Sequence, residues 1–534
     1  MIRLTNIKLP LDHDDAALRS AILATLDISP EQLLSFDVHR RGYDARKKTS
    51  IVLIYTLDVQ TTLDAALLEK FAGHQLIRAR PDMAYKFVTR APEPLSERPV
   101  VIGFGPCGLL AGLVLAQMGY KPLILERGKE VRERTRDTFG FWRKKVLNTE
   151  SNVQFGEGGA GTFSDGKLYS QIKDPRHYGR KVLSEFVAAG APDEIMYVSK
   201  PHIGTFRLVS MVEKMRATII ELGGEIRFSA RVDDLQIEDG QVTGLTLADG
   251  EQIRSRHIGL AVGHSARDTF QMLYDKHVYM EAKPFSVGFR IEHQQSLIDE
   301  ARFGDNAGNE ILGAADYKLV HHCRNGRSVY SFCMCPGGTV VAATSEENRV
   351  VTNGMSQYSR NERNANSAVV VGIDPSDYPG HPLAGVEFQR QLESLAFELG
   401  GANYDAPAQK VGDFLKGQSS EQLGTVEPSF KPGIKLTDLS NALPDFCIEA
   451  IREAIPAFNR KIRGFALEDA MLTGVETRTS SPVNIKRGDD LQSLNTRGLF
   501  PAGEGAGYAG GIMSAAIDGI RIAEAMALSI NDSQ

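Results

Sequence analysis

The segment from Val100 to Arg127 constrains the fold of this chain more than any other stretch. A short apolar run ends at Gly103, and Gly105 and Gly108 complete a G-x-G-x-x-G pattern. A helical pattern and a second apolar run follow, and this second run ends at Glu126. Strand, tight turn, helix, strand and acid in this order predict a dinucleotide-binding βαβ unit.

Each residue type in this unit has a physical reason. Gly103 permits the tight turn, Gly105 lets the backbone approach a pyrophosphate, and Gly108 lets helix and strand pack closely. The helix N-terminus offers free N–H groups to the phosphates. Glu126 stands where an acid binds a ribose hydroxyl and would repel a 2′-phosphate, so the pattern favours FAD or NAD over NADP. A plain βαβ crossover with a glycine turn is the alternative.

Length and composition limit the class of protein. A chain of 534 residues is expected to form two to four domains, and 42% hydrophobic with 24% charged residues is typical of a soluble globular protein. The net charge of −6 gives no reason to expect nucleic-acid binding by the whole chain. The first fifteen residues lack the apolar run of a signal peptide, and no apolar stretch approaches the roughly 20 residues of a membrane span.

The five cysteines contain no C-x-x-C pair, so we predict no metal site and no iron–sulfur cluster. Their odd, sparse number is typical of a protein in the reducing cytoplasm.

Residues 1–95 are predicted to form a separate N-terminal domain, joined to the rest by a linker over Ala91–Arg98. The order β-α-β-β-α-β indicates a ferredoxin-like α+β fold. The predicted elements are strands Ile2–Leu9, Leu34–His39, Ser50–Leu57 and Ala84–Val88, and helices Asp14–Leu26 and Thr62–Phe71.

A basic stretch, Arg40–Lys48, lies in this domain. The ten residues from His39 to Lys48 contain five lysines and arginines. Such a stretch could bind RNA or an acidic partner. Through residue 95, however, 13 Lys and Arg balance 12 Asp and Glu, which favours a solvated hairpin.

A second formal G-x-G-x-x-G lies in Val153–Leu168, at Gly156, Gly158 and Gly161. Only a very short apolar run precedes it and no amphipathic helix follows, so we do not predict a second nucleotide site there. We expect a mobile loop whose N–H groups cradle a phosphate or flavin edge. A plain surface loop is the alternative.

Residues 284–480 are predicted to form an inserted, mostly β domain that holds the substrate. Its strands are expected at Phe285–His293, Ser328–Cys335 and Thr339–Thr344, and its helices at 385–400 and 445–456.

The end of the chain returns to the nucleotide fold. A strand at Gly498–Ala502 runs into a glycine-rich loop with Glu504, and a helical pattern starts near Met513. A second strand, predicted at Arg254–Val262, also ends in a glycine, Gly263. Residues 96–283 and 481–534 are therefore expected to form one domain.

These segments together resemble the FAD-binding domain of glutathione-reductase-like flavoproteins. The stretches VQFGEGGAGTFSDGKL (153–168), YSFCMCPGGTVV (330–341), TRTSSPV (477–483) and LFPAGEGAGYAGGIMSAAIDG (499–519) are similar to those of a bacterial family of FAD-dependent dehydrogenases. The resemblance implies FAD and a Rossmann-like α/β domain, although the return motif of that family usually carries Asp where Glu504 stands. The implied cofactor-binding residues are Gly103, Gly105, Pro106, Cys107, Gly108, Glu126, Arg127, Gly161, Thr162, Asp165, Gly166, Lys167, Val232, Ala261, Gly263, Gly503, Glu504, Gly510, Gly511 and Ile512.

Candidate catalytic residues are Cys333, Cys335, Glu476, Arg478 and His264. Cys333 and Cys335 lie two apart on a predicted strand, so both should face one side, either as a redox pair at the flavin or as two small buried residues. Glu476 and Arg478 suit proton transfer or an anionic substrate, and a structural ion pair is the alternative. His264 is a candidate base or a structural histidine.

Cys107 begins the helix that follows the glycine turn. The helix N-terminus should lower the pKa of its thiol, but a small packing residue is the favoured interpretation.

We predict an FAD-dependent oxidoreductase that transfers a hydride or two electrons to or from a small organic substrate. A second Rossmann unit is not found in the sequence, so NAD(P)H is expected at most as a transient donor. The alternative is an FAD-containing binding protein whose N-terminal domain recognises RNA or a protein partner.

Overall fold

The computed structural model describes residues 1–95 and 97–533. Within that part of the chain, none of the helices has the length and apolar character needed to cross a membrane. The N-terminal elements are β1 (Ile2–Pro10), α1 (Ala16–Leu26), β2 (Leu33–Asp44), β3 (Val52–Thr61), α2 (Asp64–Lys70) and β4 (Ile77–Ala79).

The order of these elements is the one expected from the sequence. The four strands form an antiparallel sheet in the order β2-β3-β1-β4, and the alternating apolar residues of β1 and β3 fill its core against α1 and α2. The basic stretch lies in the hairpin of β2 and β3, as expected: its first half extends β2 through Asp44, and Arg46, Lys47 and Lys48 lie in the connecting loop. Its middle is docked on the body of the protein: Arg41 N–H donates to Tyr197 O (2.6 Å), and the guanidinium lies over the Tyr197 ring.

The predicted last strand at Ala84–Val88 is wrong. Ile77–Ala79 takes that place in the sheet, paired with β1. The Tyr85 hydroxyl instead donates to Glu524 Oε1 (3.0 Å), and its ring meets those of Phe87 and Tyr178. The alternating aromatic residues therefore pack on the nucleotide domain rather than in a sheet.

Residues 97–282 contain β5 (Val100–Ile102), α3 (Pro106–Gln117), β6 (Leu123–Leu125), α4 (Val131–Lys144), α5 (Tyr178–Ala188), α6 (Thr205–Glu221), β7 (Glu225–Arg227), β8 (Val232–Glu238), β9 (Gln241–Leu247), β10 (Gln252–Arg254), β11 (Ile258–Leu260), α7 (Arg267–Asp275) and β12 (Met280–Ala282). Residues 285–476 contain β13 (Phe285–Gln294), α8 (Gln295–Phe303), β14 (Val320–His322), β15 (Ser328–Ala342), β16 (Thr352–Ser356), β17 (Asn364–Ile373), α9 (Ala384–Leu399), β18 (Ala406–Lys410), α10 (Val411–Lys416), β19 (Ile434–Leu436), α11 (Asp445–Asn459) and β20 (Met471–Glu476). The chain ends with β21 (Val483–Ile485), β22 (Leu499–Pro501) and α12 (Ile512–Asp532).

A parallel five-stranded sheet carries the dinucleotide-binding unit, in the order β22-β11-β5-β6-β7. The return segment supplies its edge strand, as the sequence predicted. The helix α3 packs on α12 and α6 and is buried on almost every side, because its residues are nearly all apolar or glycine. A separate antiparallel sheet of β8, β9 and β10 lies between α6 and β11 in the chain.

The inserted residues fold around an eight-stranded sheet, with β13 at its centre between β17 and β20. Two strands predicted at Ser328–Cys335 and Thr339–Thr344 are one strand, β15, which runs through Pro336. Its pairing with β17 shifts register between Phe332 and Cys335 and again before Gly338. These irregularities re-aim side chains at the edge of the nucleotide domain.

Candidate functional site

A cavity of about 620 Å³ opens where the glycine turn, the glycine-rich loop, the return loop and the sheet of the inserted residues meet. Its volume is in the range of small-molecule and cofactor sites. One part is lined by the turn around Gly105 together with Glu126, and another by Lys167, Cys333 and Glu476.

The glycine turn has the conformation that its sequence predicts. Gly103 has φ +98°, and a Cβ there would lie 2.3 Å from Ala261 O. A Cβ on Gly108 would lie 1.9 Å from Gly103 O, so this third glycine allows helix and strand to touch but does not line the cavity. No side chain caps the N-terminus of α3 at Gly105, which leaves its first N–H groups to the cavity.

Glu126 is buried and holds three backbone segments together. Its Oε2 accepts from Phe104 N–H (2.8 Å), and its Oε1 accepts from Gly128 N–H (2.8 Å) and Gly156 N–H (2.9 Å). The carboxylate thus shapes the cavity wall, a role that the sequence did not predict, and it lies in the cavity lining.

The glycine-rich loop is buried, so the alternative of a plain surface loop is wrong, and side-chain hydrogen bonds hold it in place. It runs buried past the cavity, with a short 3₁₀ turn over Ala160–Phe163. The fully buried Arg134 supports it from below and donates to Asn152 O, Val153 O and Glu157 O, each at 2.7 Å. These bonds hold the loop in one conformation, contrary to the mobile loop that we expected from the sequence.

The return loop completes the cavity. Gly510 and Gly511 line it, and a Cβ added to either would meet no atom within 4 Å. The 21-residue helix α12 begins directly after them without a side-chain cap. Two helices therefore begin at this one cavity. Their N-termini can bind the anionic phosphates and the polar edge of a dinucleotide such as FAD.

Most residues of the predicted cofactor set line this one cavity. Gly108 and Thr162 do not, because Gly108 contacts Gly103 and Thr162 lies against Arg134 and Gly158. The predicted residues in the lining are Gly103, Gly105, Pro106, Cys107, Glu126, Arg127, Gly161, Asp165, Gly166, Lys167, Val232, Ala261, Gly263, Gly503, Glu504, Gly510, Gly511 and Ile512.

Asp165 and Lys167 form a charged cluster with Arg360. Asp165 accepts from Arg360 Nη2 (2.5 Å) and lies 2.8 Å from Lys167 Nζ, which also donates to Met334 O. Burial disfavours the charge on Lys167, but Asp165 outweighs this and raises the pKa of the ammonium. Lys167 is therefore a permanent cation in the cavity wall.

The two cysteines of β15 do not share a face, contrary to the expectation from strand alternation. Cys333 has φ +44°, in the left-handed region, and lines the cavity. Cys335 is fully buried, outside the lining, and its thiol donates to Cys333 O (3.3 Å). The coupling to the Cys335 thiol, followed by the charges of Lys167 and Arg290, overcomes burial and lowers the pKa of Cys333, while the same coupling and burial raise the pKa of Cys335.

Glu476 lines the cavity and is paired behind it with Arg290. Arg290 Nη1 donates to Glu476 Oε1 (3.1 Å), and both side chains are almost completely buried. Burial raises the pKa of Glu476 to about 7, although Arg290 and the hydroxyl of Thr352 oppose the shift. This carboxyl can therefore accept and release a proton near neutral pH.

Arg478 and His264 also reach the lining, but their surroundings restrict their chemistry. Arg478 is tied to Glu393, with Nη2 donating to Oε2 (3.0 Å) and Nε to Oε1 (3.0 Å), and Arg267 binds the same carboxylate. Burial, Arg478 and Arg267 lower the pKa of His264 to about 3, so its imidazole is neutral and weakly basic. The structural-ion-pair alternative accordingly describes Arg478.

Cys107 is a packing residue. It is buried between the α3 N-terminus and the return loop, in contact with Gly503. The expected lowering of its pKa by the helix is wrong, because burial, with Asp518 nearby, raises the pKa of the thiol well above its usual value.

Arg290 and Arg360 were missed by sequence analysis. Arg290 follows the mostly apolar run FSVGF within β13, and a charged residue in a buried strand signals a buried partner. Arg360 lies in a loop after β16, where no local pattern points to Asp165.

A small group of metal-ligating side chains lies outside the cavity, although the sequence led us to predict no metal site. The ligand atoms of His321, Cys323 and Glu453 lie within 4.8 Å of one another. His321 Nε2 is 3.1 Å from Glu453 Oε1, and Arg324 Nε donates to the same carboxylate (3.2 Å). The arginine already neutralises the carboxylate there.

The chain is 48% identical over 525 residues to an uncharacterized protein of Clostridium beijerinckii, covering 98% of both chains. Residues 284–479 match a family model described as "FAD-dependent protein, C-terminal domain-like", and residues 1–60 match a domain of unknown function. The chain belongs to this family of FAD-dependent proteins. FAD is therefore its cofactor, in agreement with the two uncapped helix N-termini and the glycine lining of the cavity.

Solved structures of more distant proteins are also similar. The FrdA subunit of E. coli quinol fumarate reductase is 12% identical with a TM-score of 0.36, over 82% of this chain and 71% of that one. The 3-ketosteroid-Δ4-(5α)-dehydrogenase of Rhodococcus jostii RHA1 is 12% identical with a TM-score of 0.35, over 82% of this chain and 99% of that one.

Proposed function

We propose that this protein is an FAD-dependent oxidoreductase in which a small organic substrate exchanges a hydride or two electrons with the flavin, with NAD(P)H as a transient electron donor. One observation carries the proposal. Lys167, Cys333 and Glu476, which come from separate parts of the chain, converge on the cavity that the dinucleotide-binding turn opens into. A protein that only stored FAD would have no need of a titratable carboxyl and a thiolate there.

Different residues along the cavity are suited to different parts of FAD. Gly103 and Gly105 with the N-terminus of α3 would hold the pyrophosphate of FAD, and Glu126 would meet the adenosine ribose. Gly511 and Ile512 at the start of α12 would lie beside the flavin, where the helix N-terminus would stabilise negative charge. FAD, when bound, supplies the two-electron chemistry.

The inserted residues handle the substrate. Glu476, with a pKa of about 7, takes or gives the proton that accompanies hydride transfer. Lys167 is a fixed cation that orients an electron-rich group of the substrate, and the network of Glu393 with Arg267 and Arg478 keeps this wall rigid.

An anaerobic titration with NADH and then NADPH tests this function. We expect the visible flavin band to bleach with one of them, and Glu476→Gln to slow the bleaching or the following reoxidation by a substrate while FAD remains bound. The matched control is Glu238→Gln, an exposed carboxyl on β8. A yellow protein that neither nicotinamide bleaches would contradict the donor, and a colourless one would contradict the whole proposal.

We also propose the finer architecture: a glutathione-reductase-type FAD domain of residues 96–283 and 481–534, an inserted domain of residues 284–480, and a ferredoxin-like domain of residues 1–95. The parallel sheet closed by β22 supports the first, and the strand order β2-β3-β1-β4 supports the last. The family match over residues 284–479 supports the insertion. Limited proteolysis tests these boundaries.

The alternative function, recognition of RNA or a protein partner through Arg40–Lys48, has less support. Arg41 is engaged with Tyr197, and Arg46 pairs with Asp44 (2.5 Å). RNA binding that depends steeply on salt, and that is lost when this stretch is neutralised, would support this alternative function.

A further inference from the structure

We propose that Cys333 and Cys335 form a thiol–disulfide exchange site in the wall of the FAD cavity, with a small-molecule disulfide as its substrate. The inference deepens the proposed function and rests on it in one respect, that the cavity is where FAD and substrate meet. Its chemistry is carried by the two thiols and needs no further cofactor.

The backbone brings the two cysteines together. In a regular strand, residues two apart are separated by about 6.6 Å, at the far limit for a disulfide. Cys333 departs from that geometry with φ +44°, and the pairing with β17 shifts register between Phe332 and Cys335. As a result the Cys335 thiol turns back onto Cys333, 3.3 Å from its carbonyl oxygen.

The two thiols are placed for different steps. Cys333 lines the cavity and is open to a substrate, whereas Cys335 is fully buried behind it. An attacking thiol needs access and thiolate character, and a resolving thiol needs only to reach its neighbour. Cys333 has the required access, and the Cys335 sulfur lies beside it, 3.3 Å from the Cys333 carbonyl oxygen.

Positive charge surrounds the pair. Arg290 Nη2 donates to Cys333 O (2.7 Å) and to Cys335 Sγ (3.6 Å). Lys167 Nζ is bonded to the carbonyl of the residue between them, Met334. Such surroundings stabilise a thiolate. Of the five cysteines, all in the part of the chain that the structure describes, Cys333 alone has a lowered pKa: coupling to Cys333 and burial raise the pKa of the Cys335 thiol, and burial raises the pKa of the Cys107, Cys323 and Cys447 thiols.

The exchange balances without another reactant. The Cys333 thiolate attacks one sulfur of a disulfide RS–SR, so a Cys333–SR bond forms and RS⁻ leaves. The Cys335 thiol loses its proton to that RS⁻, its sulfur attacks Cys333, and the second RS⁻ departs. Two cysteine thiols are oxidised to one disulfide, and RS–SR is reduced to RSH and RS⁻.

The experiment treats the FAD-loaded protein with oxidised glutathione under nitrogen, alkylates free thiols and maps the peptides by mass. We expect a peptide in which Cys333 and Cys335 are joined and lighter by two hydrogens. Cys335→Ser should accumulate a glutathione adduct on Cys333, Cys333→Ser should form neither product, and Cys447→Ser should behave as the unmodified protein. Free, fully alkylated Cys333 and Cys335 in the unmodified protein would overturn the proposal.

A measurement on the unmodified protein avoids any folding defect of the variants. Alkylation of the reduced protein should label Cys333 about tenfold faster than Cys107, Cys323 or Cys447 at neutral pH, with little change between about pH 6 and 8. Equal rates, or a rate at Cys333 that rises tenfold per pH unit, would refute the thiolate. Flavin content and bleaching by NADH are read separately, so a failure of this inference is distinct from a failure of the proposed function.

Discussion

Arg290 and Glu476 lie 3.1 Å apart in the centre of the sheet of the inserted residues, and together they link the cavity wall to the thiol pair. Arg290 belongs to β13 and Glu476 to the end of the neighbouring strand β20. The guanidinium bonds to the carboxylate on one side and to Cys333 O on the other. One arginine therefore contacts both the carboxyl of Glu476 and the backbone of Cys333.

Replacing Arg290 should lower the free energy of unfolding of the protein. Arg290→Met leaves the buried Glu476 without its cation and should destabilise the FAD-free protein by about 3 kcal/mol. Arg290→Met with Glu476→Gln should recover at least about 1 kcal/mol, because neither charge then remains unpaired. Urea unfolding of the four proteins of this cycle measures the coupling, and strictly additive effects would mean that the pair is not energetically linked.

Gly105→Val tests the cofactor site without straining the backbone. Gly105 has φ −78°, and its Cβ would lie 3.5 Å from the nearest atom, Gly159 Cα, so the protein should fold. The branched side chain would occupy the approach to the pyrophosphate, and we expect a loss of FAD affinity of at least about 100-fold. Flavin absorbance per protein measures it, with Gly140→Val on helix α4 as the control. Full flavin content in the Gly105 variant would refute the assignment.

Glu126→Ala should damage the protein even without FAD. Three buried N–H groups, those of Phe104, Gly128 and Gly156, would lose their acceptor. At about 1–3 kcal/mol for each unsatisfied group, the free energy of unfolding should fall by about 3 kcal/mol or more. The control is Glu238→Ala. Chemical denaturation of the FAD-free variants measures this fall in the free energy of unfolding. A Glu126→Ala variant that is as stable as the unmodified protein but binds less FAD would show that the carboxylate only binds the ribose.

Glu504→Gln should make the FAD-free protein more stable at high pH. Burial raises the pKa of Glu504 to about 7, with Lys283 opposing, whereas the unfolded chain titrates near 4.5. Between these values the unfolded state releases a proton that the folded state keeps, so the stability of the unmodified protein falls as pH rises. The variant lacks this penalty, and its advantage should grow from about pH 4.5 to 7, up to about 3 kcal/mol. Thermal unfolding against pH checks it, and parallel curves would contradict it.

His264→Gln should leave the pH dependence of flavin reduction by a nicotinamide unchanged. The pKa of His264 is lowered to about 3 by burial and by Arg478 and Arg267, so the imidazole stays neutral through the usual range of assay pH. A base with that pKa is a poor proton acceptor near neutral pH. Stopped-flow bleaching across about pH 5 to 9 measures the profile, and the loss of a titration step in the variant would restore His264 as a catalytic base.

Much of the architecture could be predicted from the sequence, because its signals are local. The glycine turn from Gly103 to Gly108, the acid at Glu126 and the return helix after Gly511 each follow from residues close together in the chain. Such patterns report turn conformation and helix periodicity directly. The strand predicted at Ala84–Val88 failed for a related reason, since alternation shows which side chains are buried but not against which part of the molecule.

The chemical character of the cavity was decided by the tertiary structure. Arg290 is 186 residues from Glu476, and Asp165 is 195 from Arg360, so no local pattern reveals either pair. Strand periodicity placed Cys333 and Cys335 on one face, but irregular pairing with β17 turned Cys333 into the left-handed region and toward the cavity. The sequence by itself determined that this protein has a dinucleotide site, because that site is built from local backbone geometry, and the family resemblance narrowed the dinucleotide to FAD. Only the folded chain decided which groups are charged, neutral or reactive beside it, because burial and distant charges set those properties.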